Sequence, residues 1–158
     1  MRIFTIFIAL LFLQCSTRQN KIDEVSDDGL KNYLNSLDSV AMIDLDYYLI
    51  IPAETCPFCI KQILLFFDFN QLIQSEKKIR YIVPALSRKK IINTFPQKFR
   101  TNSNVTIDTT KYYYQNSIFS DSPQLFYCKN GKVLKKKVLL ASDIEKELEA
   151  LSRNFSKD

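Results

Sequence analysis

The side chains best suited to do chemistry belong to the tetrapeptide Cys56-Pro57-Phe58-Cys59. The apolar run from Tyr47 to Ile51 precedes it and is typical of a buried strand, and a second apolar segment follows it. If that segment is a helix, Cys56 lies at its N-terminus, where unpaired backbone N–H groups and the helix dipole favour a thiolate. Pro57 suits the first helical turn, which does not need its N–H. Cys59, one turn further on, would be placed to attack a mixed disulfide on Cys56 and release the product.

Two other uses of this cysteine pair fit the sequence less well. A zinc site usually has four protein ligands, but the chain has no histidine, and only Cys15 and Cys128 are left as further cysteines. A purely structural disulfide would close a very short loop and gain little chain entropy. The lack of histidine also excludes Ser-His and Cys-His catalysis and haem attachment. The pattern therefore favours a redox-active pair that needs neither a metal nor another cofactor.

Length and composition predict one globular domain behind a leader. The 158 residues are 46% apolar and 13% aromatic, which is enough to form a packed core. The net charge of +5 comes from basic residues scattered beside apolar runs, as is typical of solvated faces and strand ends. We therefore predict no nucleic-acid partner, and we expect a monomer.

The first residues predict export. Arg2 and the apolar run from Ile3 to Leu13 are too short to span a bilayer but match the apolar core of a secretory signal. Because Cys15 follows at once, the segment resembles a bacterial lipoprotein signal, which implies a lipid anchor on Cys15, although Gln14 replaces the usual small residue. An ordinary secretory signal and an uncleaved anchor are the alternatives. All three place the domain in the cell envelope, facing the periplasm, where disulfides persist.

The predicted organisation divides the chain into four parts. Residues 1–14 form the signal peptide, 15–39 a tether and an N-terminal helix, 40–152 the domain, and 153–158 a C-terminal tail. The N-terminal helix is indicated by Leu30, Tyr33, Leu34 and Leu37 at helical spacing, and it should pack on the domain.

Alternating strand and helix patterns follow within the domain. The helix after Cys56 is apolar around most of its circumference, which predicts burial on two sides. Further predicted elements are a strand at 79–84, a helix at 87–95, a short strand at 105–107, a short helix within 111–119, strands at 124–128 and 133–140 joined by Asn130-Gly131, and a last helix from Ser142 to Leu151. Cys128 is expected to be a buried, inert thiol. The three tyrosines 112–114 are expected in the core, with the lining of a groove as the alternative.

The order of these elements resembles the thioredoxin fold over residues 40–151. Ser122-Pro123 before a strand, followed by the Asn130-Gly131 turn, matches the cis-proline and hairpin of that family. The resemblance implies an α/β protein with a central mixed β-sheet flanked by helices, a helical N-terminal extension, and an insertion between the Cys-x-x-Cys helix and the strand after Pro123. It also implies that Pro123 shapes the site and keeps metal from the thiols, and that Ser122, Pro57 and Phe58 bind substrate.

Details of the motif resemble two branches of this superfamily. Cys-Pro-Phe-Cys is similar to the tetrapeptide of glutaredoxins, but their downstream Gly-Gly pair is absent. The long stretch between Cys59 and Pro123 is similar to that of membrane-anchored TlpA/ResA-like reductases. Ile50 stands where thioredoxins place a buried acid, and Glu54 is the nearby carboxylate that would carry protons instead.

We therefore expect an extracytoplasmic thiol–disulfide oxidoreductase, a reductase of protein disulfides in the first place, with oxidase and isomerase as the alternative directions. Its partners would be protein thiols and disulfides, the membrane through the lipid anchor, and a membrane electron donor or oxidant. The alternatives are a non-catalytic binding lipoprotein that keeps the thioredoxin fold, and a glutaredoxin-like enzyme that uses glutathione.

Overall fold

The computed structural model describes residues 27–37, 45–72, 79–116 and 119–155. The predicted signal peptide, Cys15 and most of the predicted tether lie outside these ranges. In chain order the elements are α1 (Asp27–Ser36), β1 (Tyr47–Ile50), α2 (Pro57–Leu72), β2 (Ile79–Pro84), α3 (Arg88–Thr94), α4 (Gln97–Arg100), β3 (Val105–Asp108), α5 (Tyr112–Gln115), β4 (Gln124–Lys129), β5 (Lys132–Val138) and α6 (Ile144–Phe155).

The strands form one mixed five-stranded sheet in the order β3-β2-β1-β4-β5. Strands β1, β2 and β3 are parallel, β4 runs antiparallel to β1, and β5 runs antiparallel to β4. This α/β arrangement, with the cysteine pair directly after the central strand and a hairpin at one edge, is the thioredoxin-like fold that the sequence predicts. The predicted insertion between α2 and β4 contributes β3, which forms the opposite edge of the sheet.

Each face of the sheet carries its own hydrophobic cluster. Along β1, Leu49 and Ile51 point into one cluster while Tyr48 and Ile50 point into the other, because side chains alternate along a strand. The first cluster is covered mainly by α2 and α6 and the second by α1 and α5. Tyr33 of α1 lies fully within the second cluster, so the predicted packing of the N-terminal helix on the domain is confirmed.

Helix α2 is buried on one side only, so the prediction of burial on two sides is wrong. Ile63 and Phe67 are buried against the sheet, whereas Leu65 and Phe69 are 55% and 54% exposed. The reason is that only one layer of helices covers this face, and its contact with α6 buries one flank of α2. The outer apolar stripe therefore faces solvent in the part of the chain that the structure describes.

The end of the chain also differs from its predicted boundary. Helix α6 continues to Phe155, which is only 6% exposed and packs edge-on against Tyr47 with ring centroids 5.3 Å apart. The domain therefore extends past residue 152, and residues 153–155 do not belong to a tail. Helical periodicity carries Phe155 onto the same buried face as Leu148 and Leu151.

The β4–β5 hairpin confirms its sequence signal. Asn130 and Gly131 both have positive φ, 51° and 70°, as a type I′ turn requires. Cys128 near the end of β4 is buried in the same cluster as Phe126, as predicted. The tyrosine run also lies with the core, since Tyr113 is buried and Tyr112 and Tyr114 pack against the same cluster.

Candidate active site

The loop that carries the cysteine pair is held to the sheet by backbone hydrogen bonds that continue beyond β1. Ile51 N–H donates to Ile82 O at 2.8 Å, and Ala53 N–H donates to Pro84 O at 2.9 Å. Thr55 N–H then donates to Pro52 O at 3.0 Å and closes a turn. Cys56 therefore emerges at the carboxyl end of the central strand from a rigid support.

Cys56 occupies the N-cap of α2, as the sequence predicts. Its carbonyl accepts from Ile60 N–H at 3.2 Å, which is the first helical hydrogen bond. Its sulfur accepts from Cys59 N–H at 3.2 Å, in the way that a serine or aspartate oxygen caps a helix. Because α2 is 16 residues long, the same amide and the helix dipole would stabilise negative charge on this sulfur when the pair is reduced.

Cys56 and Cys59 form a disulfide, with their Cα atoms 5.4 Å apart. The two sulfurs differ in access: Cys56 is exposed, while Cys59 is 3% exposed. Cys56 is therefore open to an external thiol or disulfide, whereas Cys59 is covered by the protein. The exposed Pro57 and Phe58, the latter 47% exposed, directly follow Cys56 in the sequence.

Pro123 and Ser122 lie at the same end of the sheet as the disulfide loop. Ile50 pairs with Gln124 in the β1–β4 ladder, and continuing that register places Pro123 beside Ile51. Pro123 is buried, and its carbonyl accepts from Leu139 N–H at 2.7 Å. Ser122 is half-buried, and its N–H donates to Ser120 Oγ at 3.1 Å.

The peptide bond before Pro123 is trans, since no described peptide bond is cis. The cis bond implied by the family resemblance is therefore absent here. Trans is the lower-energy isomer of an X-Pro bond by about 0.5–1 kcal/mol unless the surrounding structure selects cis. The position of Pro123 next to the site is retained without it.

A polar network beside the cysteines joins the loop that carries Glu54, the end of β2 with the residues after it, and helix α5. Glu54 accepts from Leu86 N–H at 3.3 Å through Oε1 and from the Tyr114 hydroxyl through Oε2. The same hydroxyl lies 3.0 Å from Pro84 O. Burial, followed by the bond to Glu54, raises the pKa of Tyr114 well above its ordinary value. Tyr114 therefore stays protonated and acts as a donor that ties Glu54 to helix α5.

Sequence reasoning considered Glu54 alone and missed Tyr114 as its partner. The two residues are 60 positions apart, and no local pattern links them. What the sequence offered was a carboxylate next to the motif and an unusual tyrosine run. The network shows that Glu54 is engaged in holding loops together.

The structure does contain a buried acid, but at the end of β3 rather than on β1. Asp108 is 2% exposed. Its Oδ2 accepts from the Tyr33 hydroxyl at 2.7 Å, and its Oδ1 accepts from Thr110 N–H at 2.7 Å. Burial and the neighbouring Asp108 raise the pKa of Tyr33, so this hydroxyl remains a donor. Asp108 thus anchors α1 to the sheet.

The described residues hold no grouping of three or more histidine, cysteine, aspartate or glutamate side chains arranged as metal ligands. Likewise, none of the described helices has the length and apolar character needed to cross a membrane.

Comparison with known proteins gives likenesses in structure alone. No protein-family model matches the chain, and no curated protein is similar to it in sequence. A solved structure of an uncharacterized thioredoxin-like protein from Porphyromonas gingivalis is 16% identical, with a TM-score of 0.49, covering 73% of this chain and 78% of that one.

Two further solved structures are similar at the same level. One is described as a "putative Thiol:disulfide interchange protein DsbE" from Chlorobium tepidum, 14% identical, with a TM-score of 0.46, covering 71% of this chain and 80% of that one. The other is a thioredoxin-like protein from Bacteroides caccae, 20% identical, with a TM-score of 0.44, covering 70% of this chain and 42% of that one. The fold class given above rests on the strand order and the position of the disulfide, not on these likenesses.

Proposed function

We propose that this protein is a thiol–disulfide oxidoreductase that acts on the disulfides of other proteins. The observation that carries the proposal is the Cys56–Cys59 disulfide at the start of α2, with one sulfur exposed and the other buried. A disulfide that only held the fold together would not need an accessible sulfur at a helix N-terminus. That position favours a thiolate, which is the nucleophile in exchange.

In the reducing direction, the Cys56 thiolate attacks one sulfur of the substrate disulfide and releases the other as a thiolate. The Cys59 thiolate then attacks Cys56 Sγ in the mixed disulfide and releases the second substrate sulfur. Two electrons pass from the protein to the substrate. Cys56 and Cys59 each release one proton to water, and the two substrate thiolates each take one proton from water. The products are the Cys56–Cys59 disulfide and a substrate dithiol.

We further propose that the protein works as a reductase outside the cytoplasm, anchored by a lipid on Cys15 and recharged by a membrane electron donor. The support is the apolar leader that Cys15 follows and the resemblance of the sequence to anchored reductases. Direction depends on the reduction potential of the pair relative to its compartment. A value near roughly −270 mV supports a reductase, whereas one near about −120 mV would make the protein a disulfide donor.

The decisive experiment follows the mixed disulfide. Reduced protein is mixed with a disulfide-bonded substrate protein, and the products are separated without reductant and identified by mass. Cys59→Ser should accumulate a covalent adduct through Cys56, because the resolving sulfur is gone. Cys56→Ser combined with Cys15→Ser should form none, since the remaining Cys59 and Cys128 are both buried. Cys15→Ser, which removes a cysteine outside the pair, should exchange as the wild type does.

The same variants separate the alternatives. A binding module would still capture its partner after Cys56→Ser, and its pair would not cycle between oxidised and reduced forms in glutathione or dithiothreitol buffers. A glutaredoxin-like enzyme would act on glutathionylated proteins faster than on protein disulfides. Either result would replace the proposal made here.

A further inference from the structure

A groove of about 470 Å³ starts beside the exposed cysteine and runs between α2 and α3. Thr55 and Pro57, the two neighbours of Cys56 in sequence, form part of its wall. Leu64, which is half-buried, and Leu65, which is 55% exposed, contribute apolar surface along α2. A segment of chain lying in this groove would therefore be continuous with a substrate sulfur attached to Cys56.

The charges around this groove are predominantly positive. Lys61 of α2 and Lys90 of α3 both line it and are exposed. Among residues 27–37, 45–72, 79–116 and 119–155, neither ammonium group has an ion-pair or hydrogen-bond partner. The two lysines come from different helices, so the charge is a property of the groove and not of one helix.

The carboxylate that lines the groove and the one next to a lining residue in sequence both have partners within the protein. Asp68, the one carboxylate among the described residues that line the groove, is paired with Lys98 at 3.1 Å. Glu54, next to the lining residue Thr55, accepts from Leu86 N–H and from the Tyr114 hydroxyl. Within the described residues, the positive charge of Lys61 and Lys90 therefore has no partner and is available to a ligand.

We infer that this groove selects substrates in which an acidic, extended segment adjoins the disulfide cysteine. The inference rests on the proposed function and specifies its substrate class. An apolar side chain of the segment covers Leu64 and Leu65, and a carboxylate lies near Lys61 and Lys90. Complementary charge of this kind increases the rate of encounter and fixes the orientation of the bound segment.

The test uses three synthetic peptides, each closed by one internal disulfide and differing only at two positions beside one cysteine. These positions are Glu in the first peptide, Gln in the second and Lys in the third. The full chain, reduced and freed of reductant, is mixed with each peptide in excess of protein, and the single-turnover rate of peptide reduction is measured. We expect the order Glu, then Gln, then Lys, with the differences shrinking in 1 M salt, where the Debye length is about 3 Å.

Charge-removing variants locate the effect. Lys61→Gln and Lys90→Gln should each lower the Glu-to-Gln rate ratio about two- to fivefold, as expected for an exposed charge pair. Lys132→Gln makes the same change on β5, where Lys132 pairs with Lys129 at the opposite end of the sheet. It should leave the ratio unchanged, which distinguishes the groove from the overall charge of +5.

The outcomes separate the two levels of the proposal. If all peptides are reduced at equal rates, or if the lysine variants keep the wild-type ratio, the groove does not select acidic substrates, although the oxidoreductase function stands. If reduced protein reduces none of the peptides while dithiothreitol reduces all of them, the oxidoreductase function itself fails, and the inference fails with it.

Discussion

Reducing the Cys56–Cys59 disulfide should destabilise the folded protein only slightly. The bridge joins residues three apart, and the chain-entropy relation gives about 2 kcal/mol at 25 °C for a loop of about four residues. The thiolate of the reduced form gains about 0.3–1 kcal/mol at the N-terminus of α2. The oxidised protein should therefore be more stable than the reduced protein by about 1–1.5 kcal/mol.

This difference has a redox counterpart, because folding and reduction form a thermodynamic cycle. If the oxidised form folds more stably by about 1–1.5 kcal/mol, the reduction potential of the folded pair lies about 20–30 mV below that of the same pair in the unfolded chain. A mildly reducing shift of this kind is what the proposed reductase direction requires.

The first assay is equilibrium unfolding in urea, which gives the free energy of unfolding of the oxidised protein and of the protein kept reduced by dithiothreitol. The second is a redox titration, which gives the reduction potential of the cysteine pair in the folded and in the unfolded chain. The double variant Cys56→Ala, Cys59→Ala lacks the bridge, the thiolate and the N-cap acceptor, so it should be the least stable of the three by a few tenths of a kcal/mol to about 1 kcal/mol. A reduced form more stable than the oxidised form would refute the estimate, because the folded site would then favour the dithiol and act as an oxidant.

Two further predictions concern the buried tyrosines. Tyr33→Phe should lower the free energy of unfolding by about 1.5–3 kcal/mol, because it removes the donor to the buried Asp108 carboxylate. Tyr81→Phe is the matched control, since Tyr81 is also buried but its hydroxyl makes no hydrogen bond within the described residues. If urea unfolding shows that both variants lose the same free energy of unfolding, the bond to Asp108 does not have the stabilising role given to it. Burial raises the pKa of Tyr33, Tyr81 and Tyr113 above the ordinary value of 10.0. Their contribution to stability is therefore complete below pH 10 and is lost as the pH rises beyond it, at about 1.4 kcal/mol per pH unit for each tyrosine that ionises only on unfolding. Urea midpoints at pH 9, 10 and 11 measure this fall, and equal midpoints at the three values would show that the phenols ionise without unfolding.

Much of the site could be predicted from the sequence, because it depends on short-range patterns of residues. The position of Cys56 at the N-cap depends on a hydrogen bond to the amide three residues later, and the Asn130-Gly131 turn depends on two adjacent residues that tolerate positive φ. Strand alternation around Leu49 placed the core on both faces of the sheet. Such features involve neighbours along the chain, so residue type and spacing are sufficient to predict them.

Only the tertiary structure decided which distant residues meet. The bond between Tyr33 and Asp108 spans 75 positions and the one between Tyr114 and Glu54 spans 60, and nothing local specifies either. The exposed stripe of α2 depends on how much of that helix α6 covers, and Phe155 joins the core because the helix continues past the predicted boundary. The groove pairs Lys61 with Lys90 because α2 and α3 lie side by side. Packing of whole elements determines these contacts, since many arrangements satisfy the same local preferences and the one that buries the most apolar surface with its polar groups paired is selected.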